Sequence, residues 1–149
     1  MVWLCGREAT RDALFLQSGC DSTMKIVHSA DRPLVPASHE DPRDPGVWKR
    51  VLLERADFQA GAVQMVNWAT LPPGKEFAAH HHEDMQEVFV ILSGAAEMTA
   101  GAETHVLARG DVALVQPLEV HQMRAQGNEG VEYLVFGVSA GKGGRTVVV

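Results

Sequence analysis

An all-β sandwich or barrel is the fold class this sequence predicts, and three observations carry the prediction. Short apolar segments rich in Val and aromatic residues recur from Trp48 onward, at 48–53, 62–71, 87–92, 95–99, 104–107, 112–115, 121–125 and 131–138. Turn residues separate them: Pro72-Pro73-Gly74, Ser93-Gly94, Ala100-Gly101-Ala102, Arg109-Gly110-Asp111 and Gly127-Asn128-Glu129-Gly130. No amphipathic helix of three turns is evident after residue 60. Many short strands with evenly spaced turns form sandwiches or barrels.

Upstream of Trp48 the texture differs. Pro33, Pro36, Pro42 and Pro45 make 31–46 a poor helix and a poor central strand, so this stretch reads as an irregular arm. Residues 1–23 read as a loosely attached extension, with a short helix at 6–17 and Met24 as an alternative start. Arg7, Glu8, Arg11 and Asp12 interrupt what would be the apolar stretch of a signal peptide. The lipoprotein-like Leu16-Gln17-Ser18-Gly19-Cys20 has Gln17 where an apolar residue is wanted. The expected organisation is an extension and arm over 1–46, a barrel domain over 47–140 and a tail over 141–149.

Composition narrows the function classes. The chain has 149 residues, 46% hydrophobic and 21% charged, as an ordinary globular domain does. Thirteen basic against nineteen acidic side chains give a formal charge of −6, which argues against a binder of nucleic-acid backbones. No apolar run reaches the roughly eighteen residues of a membrane-spanning helix. Cys5 and Cys20 make no disulfide framework, so a reducing compartment, the cytoplasm, is the expected setting.

The informative stretch runs from Gly74 to Gly94 and contains His80-His81-His82 and Glu87. On an extended chain, residues two apart share a face, so His80 and His82 converge while His81 points away. Alternation along the next segment puts Glu87, Phe89 and Ile91 on one face, bringing a single carboxylate into an apolar interior. Such burial is costly without a compensating cation. His121, at the start of a later segment, adds a third imidazole. Three imidazoles and one carboxylate suit a divalent Fe, Mn, Ni, Zn or Cu ion. The plainer reading of the triple histidine is a solvated loop, and of His121 a structural side chain.

Gly74, His80, His82, Glu87 and Gly94 occupy every specified place of a signature written glycine, five residues, His-x-His, four residues, glutamate, six residues, glycine. In this the chain resembles the cupin superfamily. A second signature runs from Gly110 to His121, and the resemblance extends over about 47–139. It implies a double-stranded β-helix, or jelly-roll barrel, with His80, His82, Glu87 and His121 as metal ligands. The second signature departs from the family pattern: Gln116 replaces a proline, Leu118 a glycine and Ala125 an asparagine. The first two departures touch the turn before His121, whose geometry is therefore expected to change.

Phe89 and Met123 share faces with the proposed ligands and are candidate pocket-lining residues; the plain alternative for Met123 is core. Gln64 and Asn67 lie three apart on one strand, so at most one is expected to face the cavity. Tyr133, the only tyrosine, reads as core or rim. His28, His39 and His105 have no partners at ligand spacing and read as surface or loop residues. Gly141-Lys142-Gly143-Gly144-Arg145-Thr146 has the wrong spacing for a phosphate loop. The apolar tail Val147-Val148-Val149 is expected to pair with a sheet edge of its own chain or of a second subunit, which makes a homodimer the expected assembly.

The functional expectation is a metal-dependent enzyme acting on a small oxygen-rich metabolite: a sugar acid, a keto or hydroxy acid, or an enolisable ketone. Isomerase or lyase chemistry and dioxygenase chemistry fit equally. The rival is a non-catalytic metal- and ligand-binding module, a sensor or accessory protein.

Overall fold

A computed structural model describes residues 25–58, 61–139, 141 and 143–149. The extension, its two cysteines and the expected helix at 6–17 fall outside these residues. Among the described residues the chain forms eleven strands and two short 3-10 turns, Ser29–Asp31 and Arg55–Asp57. The strands are β1 (Val35–Pro36), β2 (Trp48–Glu54), β3 (Val63–Leu71), β4 (His80–His82), β5 (Met85–Ser93), β6 (Ala95–Ala100), β7 (Glu103–Ala108), β8 (Val112–Val115), β9 (His121–Gln126), β10 (Val131–Ser139) and β11 (Thr146–Val148).

They build two antiparallel sheets, ordered β1-β2-β3-β10-β5-β8 and β11-β4-β9-β6-β7. This is the all-β double-stranded β-helix expected from the sequence. Strict alternation directs the interior. Along β5 the buried residues are Met85, Glu87, Phe89 and Ile91, and along β10 they are Val131, Tyr133, Val135 and Ser139, with Gly137 between. Leu71, Phe77, Ile91, Met123 and Val131 fill the centre with almost no exposure. Burying each side chain of this size contributes roughly 1.5–3 kcal/mol.

The signature glycine Gly94 has a packing reason. Its φ is +76°, and a Cβ built there would lie 2.1 Å from the carbonyl oxygen of Gly130. Only glycine lets the β5–β6 turn approach the backbone at the start of β10 so closely.

The arm and the tail both join the barrel. β1 pairs with β2, and the Ala37 amide donates to Val47 O at 3.2 Å. The buried Glu40 carboxylate accepts from the Gly46 amide at 2.6 Å and the Ala78 amide at 2.8 Å, pinning the arm to the chain just before β4. The tail pairs with β4 of its own chain, Thr146 opposite His82 and Val148 opposite His80. The glycine-rich stretch before it is tied down as well. The Gly144 amide donates to Asp84 at 2.8 Å, and the Gly141 and Gly143 amides donate to the Ser139 hydroxyl at 3.1 and 3.2 Å.

Candidate metal centre

The four proposed ligands come from both sheets. His80 and His82 lie on β4 with buried side chains, while His81 between them is half-buried. His121 opens β9 directly opposite His80. Glu87 reaches in from β5 of the facing sheet. One donor atom from each of the four residues lies within 4.8 Å of all the others.

The nitrogens on the far sides of the rings are occupied. His80 Nδ1 is 2.8 Å from Ala78 O, His121 Nδ1 is 3.0 Å from Glu119 O, and His82 Nδ1 is 3.1 Å from the Thr146 hydroxyl. A carbonyl only accepts, so His80 and His121 carry their protons on Nδ1 and turn bare Nε2 atoms inward. Those atoms face a carboxylate. Glu87 Oε2 is 3.1 Å from Nε2 of His121, 3.1 Å from Nε2 of His82 and 3.9 Å from Nε2 of His80.

Nε2 of His80 and Nε2 of His82 find no aligned hydrogen-bond partner. Lone pairs of neutral imidazoles pointing at a carboxylate repel unless a proton or a cation lies between them. A metal ion answers all four donors at once, so the residues fit one. Burial pushes the Glu87 carboxyl up, but His121 and His82 outweigh it and hold it at about 2. Burial, followed by the neighbouring His121, lowers His80 to about 4. Near pH 7 Glu87 is thus an anionic carboxylate beside a neutral His80.

The cluster lies at a cavity of about 190 Å³. Its walls are mainly apolar and include Phe89. Met123 is not in its lining: the side chain is fully buried in the hydrophobic core. Tyr133 lines the cavity while fully buried, and its hydroxyl stays protonated because burial and then Glu87 push its pKa up.

Gln64 and Asn67 both line the cavity, contrary to the expectation that at most one would. Gly137 pairs with Met65 and Val138 with Val63, so Gln64 is skipped in a β-bulge and the simple alternation fails there.

His39 also departs from expectation. It lies in a loop, but its ring stacks on that of His80, with centroids 4.1 Å apart and planes at 21°. Burial, then His80, lowers its pKa to about 3. His28 and His105 are exposed, as expected.

Sequence reasoning missed Lys49, which lines the cavity from β2. Alternation offered the signal, because Lys49 lies between Val47 and Val51 and out of phase with Trp48 and Arg50. Thr146 was missed for a different reason: its contact with His82 is long-range.

Leu118 carries a φ of +65°, the only positive φ outside glycine among the described residues. It adopts the backbone conformation for which the second signature has glycine, and its amide donates to His82 O at 2.8 Å. The turn therefore delivers His121 to the cluster despite the substitutions.

Among the described residues, no helix is long and apolar enough to cross a membrane. Residues 67–137 match the family model for the cupin domain. A 70-residue segment, 47% of this chain, is 28% identical to a mannose-1-phosphate guanylyltransferase of Salmonella typhimurium but spans only 15% of that enzyme. A crystal structure from Thermotoga maritima, described as a predicted oxalate decarboxylase, superposes with a TM-score of 0.68 at 25% identity, covering 77% of this chain and 99% of that one. A polyketide cyclase of Streptomyces resistomycificus shares the fold, with a TM-score of 0.65 at 19% identity over 78% of this chain and 80% of that one. The signature residues, the family match and the two-sheet barrel together place this chain in the cupin superfamily.

Proposed function

We propose that the chain is a metal-dependent enzyme acting on a small oxygen-rich metabolite bound at His80, His82, Glu87 and His121. The carrying observation is the arrangement of four buried donors within 4.8 Å of one another at a cavity of about 190 Å³. Ligand sites for drug-sized molecules run to roughly 300–1,000 Å³, so this cavity suits a metabolite of a few carbons. A divalent transition ion supplies Lewis acidity to an oxygen of that metabolite. The protein residues orient the metabolite and limit water. Tyr133, held protonated, is a hydrogen-bond donor rather than a base. Phe77, Phe89 and Val135 keep much of the wall apolar. Likeness to a protein described as a predicted oxalate decarboxylase supports chemistry on small acids.

Protein purified without a polyhistidine tag is expected to carry about one equivalent of transition metal, and His82→Ala much less. Less than about a tenth of an equivalent in both proteins overturns the reading. Oxygen uptake by the Fe(II)-loaded protein with small keto and hydroxy acids then separates dioxygenase chemistry from isomerase or lyase chemistry. Binding without turnover of any of these acids favours a non-catalytic module.

A further inference from the structure

The interior of the six-stranded sheet can be read in rows, because residues paired across antiparallel strands face the same side. One row runs Lys49, Ala69, Tyr133, Ile91. The next runs Val51, Asn67, Val135, Phe89, and the third contains Met65, Gly137, Glu87. The polar members therefore step from row to row: Glu87 in the third, Asn67 in the middle, Lys49 in the first. All three line the same cavity.

Two of these groups are incompletely matched by hydrogen bonds among the described residues. Asn67 is 97% buried, being only 3% exposed. Its Nδ2 reaches only the thioether of Met65, at 3.2 Å, and its Oδ1 finds no donor. Whichever way the amide is turned, one end remains open towards the cavity. Among the described residues Lys49 is the only lysine or arginine in the lining; it is half-buried, it feels the charge of Glu87 across the cavity, and it makes no ion pair or side-chain hydrogen bond. Leaving such groups unmatched is costly unless a ligand matches them. Ala69, opposite Lys49 on β3, is a small residue that lines the same cavity.

We propose that Lys49 and Asn67 form the recognition end of the site and select a small hydroxy or keto diacid. Its chelating oxygens sit at the histidine end, an oxygen beside them meets the Asn67 amide, and a second carboxylate meets Lys49. This rests on the metal-dependent reading above and narrows its substrate class. Among the described residues Lys49 is the one lysine or arginine of the lining, so the second carboxylate is the feature that it discriminates.

The test uses metal-loaded full chain and two probes, malate and lactate. Both are α-hydroxy acids with the same chelating pair, and malate adds one carboxylate. Metal content is measured first, because a wild type that takes up no metal overturns the underlying function. In metal-replete protein, calorimetry is expected to show malate binding at least about tenfold tighter than lactate, the scale of one charge-assisted contact. Lys49→Met is expected to remove that preference, malate losing about tenfold more affinity than lactate when both are measured at equal metal content, while Lys49→Arg retains part of it. Asn67→Leu, close in shape, is expected to weaken both acids alike. Full metal with no preference in the wild type, or Lys49→Met binding malate as the wild type does, overturns the inference and leaves the metal site standing. Unchanged binding in Asn67→Leu removes Asn67 from it.

Discussion

The Thr146 hydroxyl lies 3.1 Å from Nδ1 of His82, across a register that pairs the last strand with the histidine strand. A His82 whose Nε2 holds a metal ion carries its proton on Nδ1, and the Thr146 hydroxyl is placed to accept it. Loss of such a supporting contact typically weakens metal binding about 10–100-fold. Thr146→Val, which preserves shape, is expected to show a loss in that range, and Thr146→Ser to stay near wild type. Competition against a fluorescent chelator measures both. Equal affinity in Thr146→Val and wild type removes Thr146 from the site.

Glu40 is the anchor of the arm. Its carboxylate accepts from the Gly46 and Ala78 amides, and Glu40→Ala leaves both donors unmatched. A stability loss of about 3 kcal/mol is expected, with faster amide exchange over residues 37–47 than elsewhere. Uniform protection across the chain in the variant would show that the arm is held by other contacts.

Metal-free protein is expected to lose stability in mild acid. His39 and His80 are held at about 3 and about 4 when folded, against an ordinary 6.5. Below pH 6.5 the unfolded chain therefore takes up protons that the folded chain refuses, and stability falls as pH drops towards 4. Each imidazole contributes at most about 1.4 kcal/mol per pH unit. Glu87, held at about 2, is ionised when folded throughout this window, and an unfolded carboxyl near 4.5 is largely ionised above pH 5. Urea unfolding at pH 7 and pH 5 is expected to give a smaller difference for His39→Gln than for wild type. An equal difference would show that His39 charges while folded.

Leu118 pays for its left-handed backbone. An L-residue there costs roughly 1–2 kcal/mol, and glycine relieves it at some cost in chain entropy. Leu118→Gly is expected to raise stability by about 1 kcal/mol, with the side chain exposed and no packing lost. A lower midpoint in urea would show that the leucine makes a compensating contact.

The barrel and the buried cluster of His80, His82, Glu87 and His121 were legible in sequence because both rest on local rules. Period-two alternation places Glu87 with Phe89 and Ile91, and His80 with His82, without knowledge of any partner strand. Alternation failed at Gln64, where a bulge depends on the register between β3 and β10. It was silent about His39, because a loop has no periodicity and its stacking on His80 depends on where Glu40 fastens the arm. Thr146 was hidden by sequence distance. Met123 shares a face with His121, but a face of a strand extends beyond the cavity into solid core.

Lys49, His39 and Thr146 all lie outside 67–137, the segment that the family model recognises. Glu40 fastens the arm to the chain just before the histidine strand, and β11 pairs with that strand itself. The segments that flank the matched stretch, β2 and β11 included, thus supply part of the cavity wall. Substitution at Lys49, His39 or Thr146 alters the cavity wall while His80, His82, Glu87 and His121 keep their places. Exchanging residues 35–49 between two such barrels would move selectivity without rebuilding either centre.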